Sequence, residues 1–151
     1  MKELKAGDKA PNFSAEDEQG RTISLKDYKG KKLVVFFYPK ASTPGCTVEA
    51  CNLNDNYDRF KAKGYEILGV SADSAKRQSN FKYKYGFQYP LLADEDKSVI
   101  EAFGVWGPKK FMGKEYDGIH RTTFIIDENG IIEDVISKVK TKDHTAQILT
   151  E

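Results

Sequence analysis

The sequence predicts an α/β fold in which helices pack on a central mixed sheet. A continuous apolar run at residues 33–38 and a mostly apolar segment at 66–71 are typical of buried strands, and a segment with helical periodicity follows each of them. Later, residues 122–127 and 131–137 are strand-like and are joined by Glu128-Asn129-Gly130, and Asn-Gly is the strongest short signal for a hairpin. Alternating strands and helices followed by an antiparallel hairpin predict parallel and antiparallel neighbours in one sheet.

The first half of the chain predicts a hairpin and one long helix around the first buried strand. Residues 12–16 and 21–25 alternate in polarity around a Glu-Gln-Gly turn, which favours an N-terminal β-hairpin. One helix is expected from residue 44 to about residue 63, with Gly64 ending it. Its apolar stripe consists of Leu53, Tyr57 and Phe60.

The second half predicts shorter elements. Ser74 is expected to cap a helix over residues 75–85 that ends at Gly86. A short strand at 89–94 and a short helix at about 96–103 follow. Residues 104–118 hold four glycines and one proline and are therefore expected to form a long loop. Asp143 is the expected cap of a last short helix.

Composition limits the classes of function. The 151 residues predict a single domain, 1–151, and 39% hydrophobic with 31% charged residues is ordinary for a globular protein. A net charge of +1 offers no field that would recruit nucleic acid or an anionic membrane. The charged N-terminus lacks an apolar signal core, and no apolar run approaches the roughly 18 residues of a membrane span. A cytoplasmic protein is expected.

Both cysteines of the chain lie in one stretch directly after the first buried strand. Thr43-Pro44 is a helix start, with Thr43 as the N-cap and Pro44 at the first helical position, so Cys46 falls in the first turn. Unpaired N–H groups and the positive end of the helix dipole favour a negative group there. A thiolate is such a group, and Cys46 is therefore a candidate nucleophile. The alternative is an inert core cysteine.

The spacing of Cys46 and Cys51 has a mechanical consequence. Five residues along a helix separate the two Cα atoms by about 8–9 Å, whereas a disulfide needs Cα atoms within about 7 Å. Two cysteines on one helix can therefore bond only after its first turns unwind. In a reducing compartment such a pair is more typical of catalysis or redox sensing than of a permanent crosslink.

The motif Pro39-x-x-x-Thr43-x-x-Cys46 resembles the active-site signature of the peroxiredoxins, and the second cysteine five residues on is similar to their Q type, the bacterioferritin comigratory protein family. The resemblance covers nearly the whole chain, including residues 7–13, 104–107 and 121–127. The chain departs from many Q-type members at Ala41-Ser42, where those carry Asp-Asn.

The resemblance implies a thioredoxin-like fold with a central mixed sheet flanked by helices. It also implies a thiol peroxidase that reduces hydrogen peroxide and organic hydroperoxides at Cys46, the peroxidatic cysteine. Cys51 would be the resolving cysteine and would form an intramolecular disulfide with Cys46. Thioredoxin, or a similar dithiol protein, would be the reductant. No metal, haem or flavin is implied, and the protein would be a monomer, with a dimer as the alternative.

The resemblance assigns roles to further residues. The hydroxyl group of Thr43 would bind the peroxide or the sulfur, although capping alone is the alternative. Arg121 would place its guanidinium beside the thiolate, or else be an exposed arginine at a strand end. Pro39 would shield the thiolate, the N–H groups of Gly45 and Cys46 would bind the peroxide, and Glu49 would hold Arg121 or else be a solvated glutamate.

The remaining candidates are weaker. The two histidines, His120 and His144, do not combine with the cysteines into a zinc-binding spacing. His120 is expected to face solvent rather than to tune the site. The bulky apolar side chains of the 104–118 segment form either an apolar rim for organic peroxides or ordinary loop packing; they are Trp106, Phe111 and Met112.

Two other functions fit the cysteine pair. A thiol–disulfide oxidoreductase usually carries Cys-x-x-Cys, whereas this chain has Cys-x-x-x-x-Cys. A redox-sensing binding protein could use the same helix unwinding to change a partner surface. Sustained turnover with a reductant separates the enzyme from the sensor.

Overall fold

A computed structural model describes residues 3–150. The strands are β1 (Ser14–Glu16), β2 (Thr22–Ser24), β3 (Lys32–Phe37), β4 (Tyr65–Ser71), β5 (Leu91–Ala93), β6 (Trp106–Phe111), β7 (Lys114–Ile119), β8 (Thr122–Ile126) and β9 (Ile132–Ile136). The helices are α1 (Pro44–Asp55), α2 (Tyr57–Ala62), α3 (Ala75–Tyr85), α4 (Ser98–Ala102) and α5 (His144–Ile148). None of the helices within residues 3–150 has the length and apolar character that a membrane span requires.

The central sheet has the strand order β5-β4-β3-β8-β9. Strands β3, β4 and β5 are parallel, whereas β8 is antiparallel to β3 and β9 is antiparallel to β8. The predicted mixed sheet is therefore confirmed. The N-terminal hairpin is also confirmed, because β1 pairs antiparallel with β2.

Strand β3 is buried on both faces of the sheet. Its side chains alternate between two apolar clusters: Leu33, Val35 and Phe37 pack on one face, and Val34, Phe36 and the following Tyr38 pack on the other. A strand covered on both sides reads as a continuous apolar run, which is why the sequence predicts it clearly. The second cluster also contains Cys46, so the site lies on that face.

The prediction of one helix over residues 44–63 is wrong, because the helix is interrupted at Asn56. The side-chain amide of Asn56 donates to the carbonyl oxygen of Asn52 at 2.9 Å, and the Asn56 N–H bonds instead to Leu53 at 3.2 Å. The side chain thus takes the acceptor that a continuing α-helix would use. Two shorter helices, α1 and α2, replace the single predicted helix.

The predicted caps give mixed results. Helix α3 has the predicted bounds, Ser74 Oγ accepts from the Arg77 N–H at 3.2 Å, and Gly86 ends the helix in the left-handed conformation. Asp143, the predicted cap of the last helix, makes no side-chain capping bond to α5. Its backbone φ and ψ of −145° and 40° lie outside the extended region that an N-cap residue normally adopts.

The predicted loop over residues 104–118 is wrong. Strands β6 and β7 pair along their whole length and are joined by Met112-Gly113, both with positive φ. Two residues with positive φ form the turn type that matches the twist of a hairpin. Pro108 is tolerated because this ribbon has only two strands, so a proline can face its open edge. The glycine and proline content of this segment predicted a loop and gave no indication of the two strands.

Gly69 provides a test of how tightly β4 packs. A methyl group at this position would lie 2.7 Å from Leu91 Cδ2 and 3.0 Å from the ring of Phe36. Gly69→Ala should therefore lower the free energy of unfolding by about 1–3 kcal/mol, because the core must shift to make room. Urea unfolding of the reduced protein measures this.

Gly118→Ala is the matched control, since it adds the same methyl group to another strand. There the methyl would meet only the flexible side chains of Lys109 and Tyr116, at 3.1 and 3.3 Å. We expect a loss below about 1 kcal/mol. Equal losses in the two variants would contradict the packing argument.

Candidate active site

Cys46 lies in the first turn of α1, just after the carboxyl end of β3. Its side chain is buried in the apolar cluster that also contains Tyr38 and Ala50. Pro44 occupies the start of the helix, as predicted, and the Thr47 N–H donates to the Thr43 carbonyl at 2.8 Å. The sulfur therefore sits where the helix dipole favours a negative charge.

The Thr43 hydroxyl group does not cap the helix, contrary to the sequence prediction. Its Oγ1 donates to the carbonyl oxygen of Lys40 at 2.7 Å, across the turn that precedes α1. A hydroxyl group has one hydrogen to donate. Because Lys40 takes that hydrogen, Thr43 Oγ1 is left as an acceptor in front of the helix.

The loop between β3 and α1 is held by Asp73. Asp73 Oδ2 accepts from the Ala41 N–H at 2.7 Å and from Ser71 Oγ at 2.7 Å. Ser42, which follows Ala41 in this loop, has a φ of 66°. Asn tolerates this left-handed region better than Ser, so the position favours Asn over the Ser that this chain has.

Arg121 joins the sulfur of Cys46 to the carboxylate of Glu49. Its Nη2 lies 3.2 Å from Cys46 Sγ, and its Nη1 donates to Glu49 Oε1 at 2.6 Å. Glu49 is fully buried, and the Arg121 side chain keeps 23% of its exposure. Arg121, Glu49 and Cys46 thus meet as the resemblance implies, and Glu49 is not a solvated surface residue.

Burial sets the protonation of this cluster. It raises the pKa of Glu49 to about 7, although the charge and hydrogen bond of Arg121 act in the opposite direction. Burial also opposes the charge of Arg121, but the neighbouring Cys46 and Glu49 raise the pKa of Arg121 above its usual value. Arg121 is therefore a permanent cation that faces two acidic groups.

Cys51 lies on the same helix as Cys46, and both are free thiols. Burial, together with the nearby Asp55 carboxylate, raises the pKa of the Cys51 thiol. Within regular helix geometry the two Cα atoms stand about 8–9 Å apart. The two thiols therefore cannot bond while α1 is intact.

Side-chain hydrogen bonds anchor the second half of α1. Asn52 Nδ2 donates to the Lys142 carbonyl at 3.2 Å, and its Oδ1 accepts from the Thr145 N–H at 2.8 Å. The Tyr89 hydroxyl donates to the Ala50 carbonyl at 2.8 Å. These bonds begin at residue 50, so they leave the turns around Cys46 free to unwind without displacing the rest of the helix.

His144 is a site residue that the sequence analysis missed. Its imidazole is fully buried, with Nε2 2.7 Å from Thr123 Oγ1 and 3.5 Å from Glu49 Oε2. Burial lowers the pKa of His144, whereas its hydrogen bond to Gln147 acts in the opposite direction. No sequence signal links residues so far apart in the chain, because the contact depends on how α5 packs on α1.

The other predicted residues lie around this cluster. Pro39 is half-buried at the end of β3. A methyl group added at Gly45 would lie 3.4 Å from Arg121 Nη2, which is van der Waals contact, so the guanidinium lies directly beside Gly45. His120 is half-buried rather than fully exposed, and its Nε2 lies 2.9 Å from the Pro108 carbonyl.

Phe111 and Met112 lie at the tip of the hairpin formed by β6 and β7 and are exposed, so neither is a packed loop residue. Phe111 and Met112 keep 65% and 87% of their exposure. Lys109 is the hairpin residue that faces the charged cluster: burial, and then the charge of Arg121, lower its pKa. Within residues 3–150, no cluster of three or more His, Cys, Asp or Glu side chains is arranged to hold a metal ion.

A model of the AhpC/TSA family matches residues 6–135. The chain belongs to the AhpC/TSA family. It is similar to Peroxiredoxin Bcp of Escherichia coli K12, with 51% identity over 149 residues that cover 99% of this chain and 96% of that protein. It is also similar to the solved structure of Xanthomonas campestris Peroxiredoxin Q, with a TM-score of 0.89, 37% identity, and coverage of 96% of this chain and 94% of the other.

A further solved structure is that of the bacterioferritin comigratory protein of Xanthomonas campestris, which was described for its alkyl peroxide reduction activity. It has a TM-score of 0.89, 36% identity, and coverage of 96% of this chain and 95% of the other. The chain is thus a peroxiredoxin with a thioredoxin-like fold, and an enzyme that reduces peroxides through a thiol. The predicted family, fold and class of activity are confirmed.

The strain at Ser42 in this peroxiredoxin can be tested. A residue with a side chain costs about 1–2 kcal/mol in the left-handed region, so Ser42→Gly and Ser42→Asn should each raise the free energy of unfolding by up to about 1 kcal/mol. Ser14→Gly, in the extended strand β1, is the control and should lower it. Thermal unfolding of the reduced protein measures all three, and a loss at Ser42→Gly as large as at Ser14→Gly would rule out strain.

The buried carboxyl group of Glu49 predicts how stability depends on pH. Below pH 4.5, the ordinary pKa of a glutamate, Glu49 is protonated in both the folded and the unfolded protein. Between 4.5 and 7 the folded state keeps a proton that the unfolded state releases, so stability falls as pH rises and the loss is complete above 7. In Glu49→Gln we expect this decline, of the order of 3 kcal/mol, to be absent.

Urea unfolding at pH 5 and at pH 8 measures the decline. Glu133→Gln is the matched control, because Glu133 is exposed on β9 and should keep the wild-type pH dependence. A wild-type decline in Glu49→Gln would mean that another buried group is responsible.

Proposed function

We propose that Cys46 is the thiol that attacks the peroxide. The observation that carries this is the 3.2 Å contact between Arg121 Nη2 and Cys46 Sγ at the start of α1, because a cation and a helix N-terminus together favour the thiolate. The thiolate forms a bond to one peroxide oxygen while the O–O bond breaks. The sulfur is oxidised to a sulfenic acid, and the leaving oxygen takes a proton and departs as water or an alcohol.

The surrounding groups orient the peroxide. Thr43 Oγ1, whose hydrogen is used by Lys40, would accept a hydrogen bond from the peroxide O–H. The N–H groups of Gly45 and Cys46 would donate to the peroxide oxygens, as helix N-termini do to anions. Pro39 would limit the access of water to the sulfur. The exposed part of Arg121 would stabilise the negative charge that develops on the leaving oxygen.

Cys51 is proposed as the resolving thiol. Its sulfur would attack the Cys46 sulfenic acid, form the Cys46–Cys51 disulfide and expel water. Because both residues lie on α1, its first turns must unwind before the sulfurs meet. Cys51 lies in the part of α1 that Asn52 and Tyr89 hold, so Cys46 is the residue that moves towards it. Resolution is therefore tied to the local opening of the helix.

Further parts of the proposal concern the partner and the setting. The relatives imply a thiol reductant, and we propose that it is thioredoxin, since an exposed intramolecular disulfide suits a dithiol protein.

We also propose that the protein is a cytoplasmic monomer. Residues 1–151 are proposed to form one domain, because the two apolar clusters pack on opposite faces of the same central sheet. The sensor and oxidoreductase functions remain the alternatives, and the next experiment separates them.

The cysteine roles are tested by peroxide consumption coupled to thioredoxin, thioredoxin reductase and NADPH. Wild type should turn over continuously. Cys46→Ser should lose all turnover because the thiol beside Arg121 that attacks the peroxide is absent. Cys51→Ser should react once and then stop as the sulfenic acid, because the resolving thiol is absent. Trapping the sulfenic acid with a dimedone reagent detects that product by mass.

The remaining outcomes identify the alternatives. Appreciable turnover in Cys46→Ser would refute its role as the attacking thiol. Continued turnover in Cys51→Ser would transfer resolution to an external thiol. Rapid oxidation of wild type without turnover would favour the sensor. Reduction of insulin disulfides by wild type would favour the oxidoreductase.

A further inference from the structure

The proton on the His144 ring can be located from its neighbour Gln147. The Gln147 amide is fixed by two backbone partners: its Nε2 donates to the Lys138 carbonyl at 2.9 Å, and its Oε1 accepts from the Lys140 N–H at 2.8 Å. The same Oε1 lies 2.8 Å from His144 Nδ1. Because an amide oxygen can only accept, Nδ1 must carry a proton.

The second ring nitrogen, Nε2, lies 2.7 Å from Thr123 Oγ1 and also faces Glu49. Glu49 Oε2 lies 3.5 Å from Nε2, is buried, and has no hydrogen-bond partner in the part of the chain that the structure describes. An unprotonated Nε2 accepts from the Thr123 hydroxyl group, and the buried Oε2 of an ionised Glu49 is then left without a donor, which is unfavourable. A single proton on the pair removes that cost, either on Oε2 of Glu49 or on Nε2, where it also faces Thr123 Oγ1.

We propose that His144 is a positioning residue for peroxide reduction, which shares one proton with Glu49 and so orients the carboxyl group that holds Arg121 against Cys46. The proposal rests on the proposed role of Cys46. His144 does not touch the reacting atoms, and it acts through Glu49 and Arg121.

The geometry explains how this orientation works. With Oε2 engaged by His144, the other oxygen of Glu49 is the one that accepts from Arg121 Nη1 at 2.6 Å. That bond fixes the guanidinium plane and leaves Nη2 at 3.2 Å from Cys46 Sγ. The shared proton also cancels the net charge of the pair, so the positive charge of Arg121 acts on the sulfur. When the proton leaves, an ionised Glu49 competes for the same cation.

Other titratable groups face this cluster from the segment before β5, from β6 and from α1 itself. Burial raises the pKa of Tyr89, which precedes β5, well above its usual value, so it stays neutral. Lys109 on β6 is a second basic group on the side of Arg121, and burial lowers its pKa. Cys46 itself lies on α1. Against this background, burial raises the pKa of Glu49 to about 7 and lowers that of His144, which puts the loss of the proton in the neutral range.

Two substitutions of His144 test the proposal. Gln places an amide near the position of Nε2 but cannot exchange a proton, whereas Asn keeps the position of Nδ1 and removes the neighbour of Glu49. The measurement is the second-order rate constant for Cys46 oxidation by hydrogen peroxide as a function of pH. In wild type we expect an ionisation near pH 7 above which the rate falls, because the carboxylate then competes for Arg121.

In both His144 variants this ionisation should move by at least about half a pH unit, and the rate constant at neutral pH should fall about tenfold because Arg121 is less well placed. Thr145→Val is the matched control. It changes the next residue of α5 and removes only the bond from Thr145 Oγ1 to the Asn52 carbonyl. It should keep the wild-type pH profile. A wild-type profile in both His144 variants would overturn the proposal, as would an equal displacement in Thr145→Val.

A spectroscopic measurement covers the case in which the His144 variants do not fold. The chain has two histidines, so their ring nitrogens can be resolved by NMR in wild-type protein. We expect Nδ1 of His144 to stay protonated and its Nε2 resonance to shift near pH 7 in wild type but not in Glu49→Gln. A wild-type Nε2 resonance that is flat through this range refutes proton sharing. This result does not depend on the role of Cys46, which the Cys46→Ser assay tests separately.

Discussion

Arg121 joins two parts of the fold that are distant in the chain, and the arrangement of the site depends on that contact. Strand β8 lies beside β3 in the sheet, so the residue that precedes β8 reaches the helix that follows β3. One planar guanidinium then contacts a sulfur through Nη2 and a carboxylate through Nη1. This fork geometry is specific to arginine, because an ammonium group would act as a single point charge.

The proposed roles of Cys46 and Cys51 place two opposing requirements on helix α1. Peroxide reduction needs an intact first turn, since the N–H groups and the dipole act only while the helix is formed. Disulfide formation needs the same turn to unwind. The structure separates the two requirements along the helix, because Asn52 and Tyr89 anchor residues from Ala50 onward. Glu49 lies on the other side of that boundary, so the buried carboxyl group leaves its site when the helix opens.

The sequence predicted elements whose signals are local, and it failed where a side chain or a turn competed with them. Strand β3 and helix α3 were predicted well because a continuous apolar run and a Ser74–Gly86 pair of caps are read within a few residues. The helix break at Asn56 was missed because helical periodicity continues across it while one amide captures a carbonyl. The β6–β7 hairpin has no such local signal, because its turn residues, Met112 and Gly113, lie in a segment whose glycine and proline content predicts a loop.

The sequence by itself determined the chemistry of this protein, because the Thr-Pro-Gly-Cys turn and a second cysteine five residues on are local features. The tertiary structure decided which distant groups act on that sulfur. Arg121 and Glu49 could be named from the family resemblance, but the contacts of Arg121 with Cys46 and with Glu49 depend on strand order. His144 could not be found at all, since its place beside Glu49 follows only from the packing of α5 against α1. Spacing along the chain carries no information about such contacts.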